Sequence, residues 1–232
     1  MKNRIDKFIL NPQSSLWKLS LPMMVGMSVQ AIYMLIDTAF IGNWVGWKAL
    51  TGLGVVFPLL FIIMGITFGL GSGSTTVIAQ SVGEKNKEKA DSFANHTIIL
   101  GIFLSTIFVI IGYFIGDKIL IAQGVTGQSL IYAKDYFYTM LIGTPFMILA
   151  IFFRSILSGE GDTIMPMKVL GLGTIINIIL DPPLIYFYAI KGAAVATVLS
   201  HFLVFIIFVY LIILKKHSFI SINLKKFKFD KI

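Results

Sequence analysis

The stretch LTGLGVVFPLLFIIMGITFGLGSGSTTVIA, residues 50–79, carries no charged side chain, and the charge-free run around it extends from Ala49 to Gly83. About 20 helical residues cross a bilayer's hydrocarbon core, so this run is long enough to span a membrane. Two further runs, Ser92 to Gly116 and Gly192 to Leu214, are also free of Asp, Glu, Lys and Arg. The composition agrees: 56% of the 232 residues are hydrophobic, only 13% are charged, and the mean hydropathy is +0.88. That is about half the charge of an ordinary soluble domain. The pattern predicts an all-α integral membrane protein.

Working outward from residues 50–79, the apolar runs and their breakers predict six transmembrane helices, near 16–42, 50–79, 92–115, 130–157, 164–188 and 191–214. The apolar run after the basic N-terminus, Leu19 to Ile41, ends without a small-residue cleavage pattern, so it is read as a retained first helix. The chain then divides into an N-terminus (1–15), a transmembrane lobe (16–214) and a basic amphipathic tail (215–232). Placing the N-terminus in the cytoplasm puts fifteen of the nineteen Lys and Arg residues inside, with only Lys48, Lys118, Lys134 and Lys191 outside. This asymmetry is the one expected of a plasma-membrane protein with both termini cytoplasmic. It also explains the net charge of +8 without any nucleic-acid partner. Trp17 on one side, and Trp44, Trp47, Tyr113, Tyr132, Tyr186 and Tyr188 on the other, fall at the expected interfaces.

Of eleven acidic residues, Asp37 and Asp181 lie inside apolar runs, where a carboxylate costs about 2.5–3.5 kcal/mol and so faces a cavity or a partner. Counted from the outer ends of their helices, they lie roughly 8 and 10 Å deep, in the same half of the membrane. Asn177 shares a helical face with Asp181, and Pro182 and Pro183 remove two backbone donors just after it. The spacing therefore predicts a small-cation site, for a proton or sodium, with an opened helix supplying carbonyls. The alternative is that Asp181 is a polar stop and Asp37 a packing residue bonded to a neighbouring helix. Thr197 and His201 share a face of the last helix, with Thr197 a site member and His201 an additional polar contact or a packing residue.

Gly65, Gly69 and Gly73 predict close helix packing, since no Lys follows to make a phosphate loop. Pro22 and Pro58 predict kinks. The charged segments 83–89 and 158–163 read as solvated loops, or as a gate in which Arg154 pairs with loop acids. Zero cysteines, no metal-spaced cluster and no nucleophile elbow leave neither an enzyme nor a transition-metal site to propose, and no cofactor.

Leu21-Pro22, Ile36 to Gly42, Ala79 to Asn86, Ser158 to Thr163, Asn177 to Pro182 and Gly192 to Thr197 form an ordered series. It resembles the multidrug and toxic compound extrusion family, closest to the prokaryotic DNA-damage-inducible exporters. The resemblance runs from about residue 10 to the C-terminus. It implies an antiporter expelling small organic, often cationic substrates against protons or sodium. It assigns cation binding to Asp37, Asn177, Asp181 and Thr197, and helix bending to Pro22. Members of that family have two six-helix lobes with the substrate cavity between them; this chain carries the N-terminal one, ending in a segment like the interlobe linker. It is then a fragment needing a second lobe, a half-transporter that pairs with another copy, or a non-transporting assembly module. A lipid- or polysaccharide-precursor flippase is the rival within transport, disfavoured because no lysine lies deep in a span, Lys134 and Lys168 both falling near helix ends.

Overall fold

The computed structural model describes residues 12–214, 218 and 220–222, and is all-helical over them. In chain order come α1 (Pro12–Trp44), α2 (Trp47–Gly83), α3 (Lys87–Ala122), α4 (Gly127–Gly159) and α5 (Ile164–Val209), with a short π-helical end at Tyr210–Leu214. Among the described residues five helices are long and apolar enough to cross a membrane. The helices outrun the expected boundaries: α3 begins at Lys87 and α2 ends at Gly83, where hydropathy places a loop over residues 80–91. Hydropathy measures the thickness of the lipid, whereas a helix continues into water while its ends are capped. At the start of α3 the Asn86 side chain accepts from the Lys89 backbone N–H at 3.0 Å.

The fifth helix is two helical pieces joined at Ala189. Ala189 has φ 51° and ψ −138°, a backbone conformation alanine rarely adopts. The chain reverses there. A methyl group placed on Gly173 would collide with Val204, and one on Gly192 with the carbonyl of Leu184. In a straight helix Gly173 and Val204 would lie about 46 Å apart. Residues 164–188 and 190–209 are therefore antiparallel arms of a tight hairpin, roughly 37 and 30 Å long. The expected opening at Pro182–Pro183 is not seen: the backbone stays helical across both prolines, and the break falls at Ala189. The prolines still deprive the carbonyls of Ile178 and Ile179 of their usual donors.

α4 is the central helix, with 67% of its most apolar window buried against 12–39% for the others. Three apolar clusters stack along it. One, around Ile41, Leu53, Phe137 and Ile190, lies toward the Trp44–Gly46 turn; one, around Ile148 and Phe152, is in the middle; the third, around Ile78, Ile156, Phe208 and Ile220, lies toward Gly159. Lipid offers no hydrophobic drive for helix association, so close approach through small residues replaces it. Gly71 meets Ser155, Gly101 meets Phe152, Gly116 meets Phe137 and Gly143 meets Val198. The predicted Gly65, Gly69 and Gly73 stripe takes no part within this lobe: among the described residues nothing lies within 4 Å of a methyl placed at any of them, because they occupy the outward face of α2. Leu35, Phe103, Phe114, Ile142 and Ile179 are likewise exposed, as lipid-facing side chains are.

The expected 1–15 and 215–232 segments fall largely outside the described residues. What is described of the tail is docked. Ile220 is buried in the cluster near Gly159. Its backbone N–H donates to Glu160 Oε1 at 2.8 Å, and that of Ser221 to Asp91 Oδ1 at 2.8 Å.

Candidate cation site and cavity

The four residues singled out from the sequence come from three helical arms and are all deeply buried: Asp37 is 4% exposed, Asn177 2%, Asp181 0% and Thr197 7%. α1 carries Asp37 two turns before its end at Trp44, a depth of about 10 Å. The first hairpin arm carries Asn177 and Asp181 one turn apart, and the second carries Thr197 at a similar depth below the Ala189 turn. The hairpin thus sets Thr197 beside the acidic arm.

One side-chain hydrogen bond ties two of these arms. Thr197 Oγ1 donates to the Ala193 carbonyl at 3.1 Å; its proton committed, it accepts from the Tyr33 hydroxyl at 2.9 Å. This bond links α1 to the second arm. Asn177 Nδ2 reaches Asp181 Oδ1 only at 3.5 Å, at the outer limit for a hydrogen bond. Asp37 Oδ1, Asn177 Oδ1 and Asp181 Oδ2 are buried with no hydrogen-bond partner among the described residues. Buried oxygens are normally paired, and each orphan costs about 1–3 kcal/mol, more for a charged group. Three acceptor oxygens with no donor in one region suit a proton or a small hard cation, which takes oxygen ligands.

Tyr33 and Tyr136 were not singled out from the sequence. Both lie within Coulombic reach of Asp37 and Asp181. Tyr33 was legible in principle, since it precedes Asp37 by one helical turn and shares its face. Tyr136, on α4, carried no such signal. Pro22 lies within α1, but its side chain is outside those described.

A cavity of about 160 Å³ opens beside these residues, with Asp37, Tyr33, Tyr136, Thr197, His201 and Arg154 on its wall. A smaller recess contains Asn177, with Thr197, His201 and Tyr33 lining both spaces; Asp181 lies behind them and lines neither. His201 is therefore placed at the cavity as an additional polar residue. The expected gate between Arg154 and loop acids is not formed. Ion pairs among the described residues join Lys87 to Asp91, Lys89 to Glu84 and Lys134 to Asp117. Asp162 Oδ1 instead accepts from the Met165 backbone N–H at 3.1 Å, and Glu160 accepts from Ile220 and Ser218. The backbone N–H of Met165 thus reaches Asp162, and the Ser218 hydroxyl and Ile220 N–H of the docked tail reach Glu160. Among the described residues no three of His, Cys, Asp and Glu gather as a metal cluster would.

Comparison with known proteins gives the architecture a family. The profile described as MatE matches residues 22–183, a span that contains Asp37, Asn177 and Asp181. The chain is 33% identical over 214 residues to a probable multidrug resistance protein NorM of Thermotoga maritima, covering 89% of this chain and 46% of that protein. It is 32% identical over 207 residues to a probable multidrug resistance protein YoeA of Bacillus subtilis, covering 84% and 44%. Among solved structures, the outward-facing conformation of a multidrug resistance MATE family transporter of the MOP superfamily superposes with a TM-score of 0.91 at 32% identity, over 95% of this chain and 49% of that one. The chain spans about half the length of the curated relatives it matches. From the matched profile, the helical membrane-spanning architecture and these relatives, the chain belongs to the MatE (MATE) family of multi-pass membrane transporters.

Proposed function

We propose that this chain forms the N-terminal lobe of a proton- or sodium-coupled exporter of small organic molecules. The two hairpin arms cross the plasma membrane separately, giving six crossings with both termini cytoplasmic. The three orphaned oxygens on Asp37, Asn177 and Asp181 carry this reading. A carboxylate pair buried without donors is unstable as a static feature, and it is relieved each time a cation enters. Thr197 positions Tyr33, and through it α1, against the second arm, so occupancy at Asp37 and Asp181 is transmitted to the helix that lines the cavity. One charge crossing about 100 mV releases roughly 2.3 kcal/mol, enough for one to two decades of substrate gradient. Organic substrate occupies the cavity on the lobe's open face, completed by a second six-helix lobe.

The test uses the chain joined to a second lobe in proteoliposomes. Asp37→Asn and Asp181→Asn are each expected to abolish efflux driven by an imposed proton or sodium gradient, while both proteins still elute as folded species. Efflux that keeps its wild-type dependence on the gradient in both variants would remove the cation assignment.

A further inference from the structure

The cavity is not electrically uniform along its length. Tyr136 and Arg154 both lie on its wall and both belong to α4. Eighteen residues separate them, about 27 Å along the helix axis. Tyr136 marks the end that feels Asp37 and Asp181; Arg154 marks the other. Between them the wall is aromatic and thioether, from Phe57, Phe61, Met64 and Phe68 on α2 and Met140 and Met147 on α4.

Arg154 is the one Lys or Arg among the cavity-lining residues, and it has no ion pair among the described residues. Asp37 is too far away along the cavity to neutralise it, and Glu160 and Asp162 accept from backbone donors instead. A guanidinium stays charged at any working pH and presents a planar fork of donors matched to an oxyanion. Left at an apolar wall without an anion, it bears a desolvation cost with no return. His201, one turn beyond Thr197 toward this end, offers a ring N–H on the facing wall. An organic cation is repelled here, and an oxyanion is held. The absence of lysine deep in the spans, which counted against a substrate with an acidic head group, is thus offset by an arginine that the tertiary structure brings to the cavity.

We propose that the Arg154 end of the cavity receives the oxyanion head group of an amphiphilic organic anion, whose apolar body lies along the Phe57, Phe61, Met64 and Met147 wall. This rests on the cavity being the substrate's place, as in the export reading, and specifies the substrate's charge. A carboxylate or phosphate of a soluble amphiphile and the head group of an anionic phospholipid share this chemistry.

The experiment measures binding of three naphthalene probes to the purified 232-residue chain in dodecyl maltoside by titration calorimetry, with empty micelles subtracted. The probes are 2-naphthoate, 2-naphthylmethylammonium and 2-naphthylmethanol. The expected result is at least tenfold tighter binding of the carboxylate than of the ammonium. That preference is lost in Arg154→Gln, largely kept in Arg154→Lys, and unaffected by Lys118→Gln at the opposite end of the bundle. Dioleoyl phosphatidylglycerol is then titrated against bound naphthoate. Displacement identifies a lipid head group as an occupant of the same site, and its absence points to soluble anions; both are consistent with the oxyanion site. Equal affinity for the three probes, or a carboxylate preference that persists in Arg154→Gln, overturns the anion assignment while leaving export standing. Binding of none of the three overturns the oxyanion site in this lobe, while the export reading is decided separately by gradient-driven efflux from the joined protein.

Discussion

At the scale of the residue, the site is defined by what its groups lack. Tyr33, Thr197 and Ala193 form a satisfied relay, whereas Asp37, Asn177 and Asp181 each retain an oxygen without a donor. The relay holds α1 to the hairpin, and its worth is measurable. A Tyr33→Phe and Thr197→Val double-mutant cycle is expected to give a coupling of about 0.5–1.5 kcal/mol in thermal unfolding. Additive losses would mean that the 2.9 Å contact contributes nothing of its own. The sequence singled out Asp37 and Asp181 because a carboxylate inside an apolar run is rare and expensive, and added Asn177 by its shared face and Thr197 from the neighbouring helix. It passed over Tyr136, since a tyrosine in a membrane helix is ordinary and only the cavity that both line makes it a neighbour of Asp37.

At the scale of the element, the decisive feature is the turn at Ala189. Gly192 is the residue that permits it, because any side chain there meets the backbone of Leu184. Backbone, unlike a side-chain tip, has little room to yield. Gly192→Ala is therefore expected to destabilise the lobe by about 3 kcal/mol or more. Gly65→Ala and Gly69→Ala, on the open face of α2, are expected to stabilise it by about 0.5–1 kcal/mol each through helix propensity. Thermal unfolding of the three variants in detergent checks the contrast. Destabilisation by Gly65→Ala in the chain alone would show that its face is packed against a second copy. Periodic spacing of glycines was visible in the sequence, but spacing does not say which face of α2 meets α4. Gly71, two positions away from Gly69, is the one that touches Ser155.

At the scale of the whole molecule, the hairpin decides how many times the chain crosses the bilayer. If residues 164–188 and 190–209 cross separately, Lys191 emerges on the side opposite Lys87 and Lys168. The natural absence of cysteine makes the test direct. In intact cells a membrane-impermeant maleimide is expected to label Lys191→Cys and Lys118→Cys, and to label Lys87→Cys only after permeabilisation. Labelling of Lys191→Cys from neither side would place it inside the bilayer and leave four complete crossings, with the hairpin re-entrant. Hydropathy by itself determined that this is a helical membrane protein, approximately where its helices lie, and which acids are out of place, because the cost of putting charge or unpaired backbone into hydrocarbon is paid locally and shows in every window of sequence. The tertiary structure alone decided that Asp37, Asn177, Asp181 and Thr197 are buried in one region, that the expected opening at the proline pair falls instead at Ala189, and that Arg154 faces the cavity rather than the loop acids. These are relations between arms far apart in the chain, set by close packing at Gly143, Gly173 and Gly192, and a packing contact leaves no mark on the local composition of either partner.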